Sequence, residues 1–348
     1  MLTKELHSSL RGNKLAFSEK LFEEQAINLA KNTASKFKSV IRLYALLNIG
    51  FFLAGLVEFF SLIFLLPFLA KTLLIAFMVA AVFLTIFSYF VVRFYLQAKK
   101  PEQLQNLLIQ FGSELRKLIP FEKPSLEYTR YTTAGIEAFL RSLAGLETSL
   151  YKAPPHLTSF QPLLEKFSIW AHFQDVQEMR EMLHAQTISQ CIDYVKAVPL
   201  DPAAHAALAD AFIELYKIYL HPHKLGKEVV YSFITDYYTR EEILKKFKET
   251  ASSALEELKI VATLKASDPW VHVKLATIYH HLNLPENEIK EYEKLVQLSD
   301  NNSDFLLRLG ILYFQEQKQT EGLKVYQHLK KSNSPQAEEL IRYYRVLN

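Results

Sequence analysis

The stretch Tyr44-Ala-Leu-Leu-Asn-Ile-Gly-Phe-Phe-Leu53, with its continuation to Val91-Val-Arg-Phe-Tyr-Leu96, decides what kind of chain this is. Between residues 44 and 96 the only charged side chains are Glu58, Lys71 and Arg93. A bilayer core is crossed by roughly 20 apolar residues in a helix. This run is more than twice that length and is interrupted near its middle by Pro67 and Lys71. The simplest parse is therefore one span at about 45–67 and a second at about 73–95. Backbone groups in hydrocarbon must be bonded within the segment, which leaves two helices as the form of the hairpin. The alternative is a helical hairpin buried in a soluble core, but soluble helices carry a polar face that this run lacks. The run begins too late and is too long and doubled to be a cleaved leader.

Outside the hairpin the chain is charged and helix-patterned. Gly is scarce, at 9 in 348 residues, and strand-like alternation is rare, so the expected fold class is all-α. The net charge of +3 is too small to suggest a nucleic-acid binder, and no such motif is present. The single Cys191 excludes an internal disulfide and fits a small buried apolar residue in a helical run.

Lys4, Arg11, Lys14, Lys20, Lys31, Lys36, Lys38 and Arg42 precede the hairpin, and Arg93, Lys99, Lys100, Arg116 and Lys117 follow it. The turn offers only Lys71. Positive charge at both outer ends predicts both termini and the downstream domain on the cytosolic side. Glu58 sits near the middle of the first span, where a carboxylate faces protein or water rather than lipid. It reads either as an ion or proton site or as a protonated group bonded across the hairpin or between copies. Ahead of the hairpin, Ser18 is a candidate helix cap. Phe17, Leu21, Ala26, Leu29, Ala30, Thr33, Phe37 and Ile41 form an amphipathic stripe. This helix would lie on an anionic membrane surface or pack on the soluble domain.

From Gln97 onward helix follows helix, with prolines from Pro101 to Pro335 near the expected boundaries. Asp201-Pro202 and Asp268-Pro269 are helix starts, with Asp capping and Pro in the first turn. Leu275, Ala276, Tyr279, Ile289, Tyr292 and Leu295 recur 34 residues later as Leu309, Gly310, Tyr313, Leu323, Tyr326 and Leu329. The small residues Ala276 and Gly310 allow two antiparallel helices to approach, the tyrosines fill the space beside them, and Asn283 and Gln317 take the turn. An upstream copy, Asp201 to Phe212, matches Asp268 to Tyr279, with its second helix displaced to about 240–265 by an insertion at about 221–239. The insertion carries the aromatic run Val229-Val-Tyr-Ser-Phe-Ile-Thr-Asp-Tyr-Tyr, a contact surface or a segment packed back on the array. Ile188 to Ala197 reads as the second helix of a further unit, and about 336–346 as a final capping helix.

This pattern resembles the tetratricopeptide repeat family, a helix-turn-helix unit of that period. It is strongest over 269–332 and weaker over 187–212. The resemblance implies a solenoid whose first helices line a concave face that binds extended peptides or partner helices. The groove positions it implies are Trp270, Val273, Thr277, His280, Leu307, Ile311 and Phe314. One branch of the family clamps a terminal carboxylate with Lys, Asn and Arg. Here only Lys274 and Arg308 lie near by, so that clamp is not expected.

The implied organisation is a charged amphipathic segment at 1–43, a hairpin at 44–96, a helical connector at 97–156 and the repeat domain at 157–348. In layout, a two-lobed hairpin with charged flanks and a cytosolic C-terminal domain also resembles the inclusion-membrane proteins that intracellular bacteria export. No nucleophile elbow, phosphate loop or dinucleotide motif is present, and the pairs His221/His223 and His280/His281 lack metal-ligand spacing. His205 and His272 share one repeat position, which points to packing. The expectation is a non-enzymatic scaffold without cofactors or metal, with a protein or peptide partner on the array and a lipid bilayer around the hairpin. The rival is a hairpin that acts itself, by shaping the bilayer or by assembling into a pore around Glu58.

Overall fold

The computed structural model describes residues 18–69, 74–226, 228, 231–300 and 302–347. Lys4, Arg11, Lys14, Phe17, Lys71, Val229 and Val230 lie outside the described residues. Among the described residues the secondary structure is helical, with no strand. The packing divides the chain into one unit ending at Leu183 and another beginning at His184.

The first unit is built on two long helices, α1 (Glu19–Leu69) and α2 (Leu74–Leu118). Ser18 precedes α1, and its hydroxyl accepts from the Leu21 N–H at 3.4 Å. Both helices are long and apolar enough to cross a membrane, and none of the most apolar stretch of either is buried. Phe52, Phe64, Phe83 and Phe87 are each more than three-fifths exposed. The expected segment limits at 43/44 and 96/97 therefore fall inside continuous helices. Pro101, expected near a boundary, stands within α2. A proline there removes one helical hydrogen bond, but Leu104, Phe111 and Leu115 beyond it are fully packed and hold the helix together.

The amphipathic stripe of α1 faces protein. Phe22, Ala26, Ala30, Ala34, Phe37 and Ile41 are buried in one core with Leu104, Phe111 and Leu115 of α2. Phe22 takes the place expected for Leu21, which is exposed. The core is completed by Tyr128, Ile136 and Phe139 of α3 (Leu126–Ser142), capped by Ser125, and by Val176, Met179 and Leu183 of a later helix. The three alanines at four-residue spacing leave room for α3 to approach α1. Gly135 performs the same service against α2, since a Cβ there would stand 2.4 Å from Leu115 Cδ1. Each large side chain sequestered here contributes roughly 1.5–3 kcal/mol. The short α4 (Leu146–Ser149) and a 3₁₀ turn (Pro155–Phe160) lead into α5 (Gln161–Ala197), within which the first unit ends.

The second unit is a row of antiparallel helix pairs. The last part of α5 packs on α6 (Pro202–Tyr219) through Ile188, Cys191, Leu208 and Ala211. A 3₁₀ turn (Pro222–Leu225) and α7 (Ser232–Thr239) occupy the insertion, and α8 (Glu241–Leu264) then pairs with α6. Next come α9 (Pro269–His281) with α10 (Pro285–Leu298), and α11 (Ser303–Gln315) with α12 (Gln319–Lys331). The row is capped by α13 (Gln336–Leu347). Asp201 and Asp268 cap α6 and α9 through the N–H groups of Ala203 and Trp270. The tetratricopeptide-like layout expected from the 34-residue recurrence is thus present, including the displaced second helix.

Helix ends repeat as faithfully as helix starts. Asn283, Gln317 and Asn333 all have left-handed backbones, with φ of 56°, 58° and 50°. In each case the next N–H bonds back five residues, as in Leu284 to Tyr279 O and Lys318 to Tyr313 O. This closes the helix end and releases the chain into the next turn.

Candidate functional site

In each pair the first helix presents positions spaced four and then three residues apart on one face. On α9 these are Val273, Thr277 and His280, all exposed. On α11 the matching positions are Leu307, Ile311 and Phe314. Leu307 and Ile311 are half-buried against the α11–α13 core. Phe314, expected on the same face, is instead buried: its ring lies against Tyr344 at 4.7 Å, and it covers Gly322, where a Cβ would come within 2.4 Å. The small residue at 322 draws Phe314 inward. Trp270 is half-buried at the start of α9, with the Lys274 ammonium 5.4 Å from its ring centre.

The cations of this face are engaged. Lys274 Nζ donates to Asp210 Oδ1 at 2.9 Å, tying α9 to α6. Arg308 Nη2 donates to Glu288 Oε1 at 2.9 Å, and His280 Nδ1 stands 3.2 Å from the other Glu288 oxygen. Glu288 is fully enclosed by the fold. A terminal carboxylate would have to compete with both pairs, so the face offers apolar contact flanked by balanced charge.

The same helices carry a second repeated device. His272 Nδ1 meets Glu291 Oε2 at 2.6 Å, and its Nε2 meets the Ala266 carbonyl at 3.3 Å. His205 does the same with Glu257 (2.6 Å) and the Pro199 carbonyl (2.9 Å). Each histidine joins the two helices of its pair to the loop before them. Burial works against the His205 charge, but the bonds to Glu257 and Pro199 O and the charges of Glu257 and Asp201 outweigh it and raise its pKa. His281 behaves oppositely: burial, with His280, Lys224 and Lys217 near by, pushes it down to about 4. It pairs with the Tyr216 hydroxyl at 3.1 Å.

The carboxylates Glu257, Glu288 and Glu291 escaped the reading of the sequence, although Glu257 and Glu291 stand one repeat period apart. Cys191 is buried, with its thiol pushed up to about 12 by burial and by Asp210. Gly310 permits a close helix approach. Its missing Cβ makes room for Leu340 of the capping helix, which would stand 2.6 Å away. In the hairpin, Thr85 Oγ1 donates to Glu58 Oε1 at 2.6 Å, and the other Glu58 oxygen is buried without a partner among the described residues. Among the described residues no group of three or more His, Cys, Asp or Glu could hold a metal ion.

No family model matches the chain, and no curated protein matches it. A crystal structure of a thermophilic TPR protein from Thermus thermophilus is similar over 70% of this chain and 98% of its own, at 15% identity and a TM-score of 0.30.

Proposed function

We propose that this chain is a membrane-anchored scaffold, in which α1 and α2 insert as a two-pass hairpin and the second unit recruits a protein or peptide partner on the cytosolic side. The observation that carries the reading is that no residue of the most apolar stretches of α1 and α2 is buried, whereas the N-terminal part of α1 and the C-terminal part of α2 pack into a core. A folded chain leaves a surface of that size bare only where something apolar covers it. The basic residues Lys36, Lys38, Arg42, Arg93, Lys99 and Lys100 flank the head end of both helices, which favours the cytosolic orientation of the head. Anchoring raises the local concentration of the array around other membrane proteins.

The partner-binding face is that of Val273, Thr277, His280, Leu307 and Ile311, with Trp270 at its edge. It suits an extended or helical segment read through apolar side chains. The role requires no reaction and no cofactor. A pore around Glu58 draws less support, because its carboxylate is engaged within its own hairpin by Thr85.

The test is proximity labelling from the full-length chain, comparing wild type with the double variant Val273→Glu, Thr277→Arg. Both side chains are exposed, so helicity and unfolding should be unchanged. The reading expects the neighbour set to shrink to lipid-proximal proteins. An unchanged neighbour set contradicts it.

A further inference from the structure

Two clefts meet where the hairpin enters the head. One, of about 310 Å³, lies between α1 and α2 and is walled mainly by apolar side chains, including Phe51, Phe52, Leu56 and Ile86. Its head-ward residues, Asn48 and Tyr89, also line the second, of about 360 Å³. That second cleft is polar and aromatic, with Tyr44, Arg93, Lys100, Trp170, His172 and Asp175 around it. The two clefts adjoin at Asn48 and Tyr89, one greasy at the hairpin end and the other charged at the head end.

The charges do not cancel. Lys100 is paired with Asp175, and Asp175 also stands 3.5 Å from His172 Nδ1. His172 Nε2 is met by the Tyr151 hydroxyl at 2.9 Å. Arg93 has no acidic partner among the described residues; its Nη1 donates to the Tyr89 hydroxyl at 2.9 Å, and the residue is exposed. The uncompensated charge of the cleft is therefore that of Arg93. Trp170, two-thirds exposed, stands on the rim with Tyr44 and Tyr89 close by. Such amphipathic rings sit at headgroup depth.

We infer that these two adjoining clefts together bind one molecule of membrane lipid with a net anionic, phosphate-bearing headgroup. The phosphate lies at Arg93 and an acyl chain runs along Phe51, Phe52, Leu56 and Ile86. The inference rests on the hairpin standing in a bilayer. The apolar half is what distinguishes a lipid from a free phosphate, and a guanidinium matches a phosphate with paired donors.

The experiment is native mass spectrometry of the full-length protein in detergent, titrated separately with phosphatidylglycerol, phosphatidylcholine of the same chains, and glycerol 3-phosphate. Phosphatidylglycerol should bind at least about tenfold more tightly than phosphatidylcholine, and glycerol 3-phosphate should not bind measurably. Arg93→Gln should remove that preference. Gly55→Leu should weaken both lipids, because Gly55 borders the apolar half and a Cβ there meets nothing within 4 Å. Equal binding of the two lipids by the wild type, or glycerol phosphate binding as well as phosphatidylglycerol, overturns the inference whatever the variants do. A chain that washes off membranes would instead defeat the anchoring itself, so the two failures are separable.

Discussion

His272 and Glu291 meet at 2.6 Å across the two helices of one repeat, and in the last repeat the same two positions are Leu306 and Val325, both buried. The fold thus uses a polar clamp and an apolar contact at the same place. Removing one partner of a buried pair is costly, whereas replacing both with apolar groups is often neutral or better. His272→Leu alone should destabilise the second unit by about 3 kcal/mol, tempered by Lys294, which still reaches Glu291 Oε1 at 2.9 Å. The double variant His272→Leu, Glu291→Val should recover most of that loss. Urea unfolding of the three proteins gives the answer, and a double variant as unstable as the single would show that the clamp has no apolar equivalent here.

Acid and alkali should weaken the array through different histidines. The folded pKa of His205 is raised, so its contribution is full below about 6.5 and fades as pH rises through the folded value. The folded pKa of His281 is lowered to about 4, so its contribution is full above about 6.5 and is lost as pH falls towards 4. His281→Gln should flatten the loss of stability between about pH 6.5 and about pH 4, and His205→Gln should flatten the alkaline side. Unfolding midpoints measured across that range would contradict the assignment if His281→Gln kept the wild-type acid slope.

The helix ends can be improved. Gln317 holds a left-handed backbone that costs a residue with a Cβ more than it costs glycine. Gln317→Gly should stabilise the second unit by about 1 kcal/mol, and Asn283→Gly by less, because asparagine tolerates that conformation better. A fall in thermal midpoint for Gln317→Gly would be inconsistent with the observed helix end.

The close approaches cannot be filled without cost. Gly310→Ala brings a Cβ within 2.6 Å of Leu340 Cδ2, and Gly135→Ala within 2.4 Å of Leu115 Cδ1. Both leucines are fully packed, so each change should cost about 1–3 kcal/mol. The first should loosen the capping helix α13, read as faster amide exchange at Leu340 and Tyr344. Unchanged exchange there would show that the cap adjusts freely.

What was legible in the sequence was whatever repeats or runs unbroken. The 34-residue recurrence placed Leu275 and Leu309 in the core, and the insertion was recognisable because Asp201 and Asp268 start equivalent helices. The apolar run at 44–96 was visible by composition alone. Contacts between distant segments were not. Nothing local in Phe22, Ala26 and Ala30 shows that they meet Phe111 and Phe139 rather than lipid, and the stripe fits either surface. Phe314 has the spacing of a groove residue, and only the presence of Gly322 opposite turns it inward. The partner of Glu58 could not be read from spacing either, since Thr85 reaches it only through the geometry of the hairpin.

The insertion of α1 and α2 into a bilayer is tested most directly by alkaline carbonate extraction of membranes carrying the full-length chain. The account predicts that the protein stays in the membrane pellet and is released only by detergent. Recovery in the aqueous wash as a folded monomer, its apolar helices covered by its own chain, would contradict it.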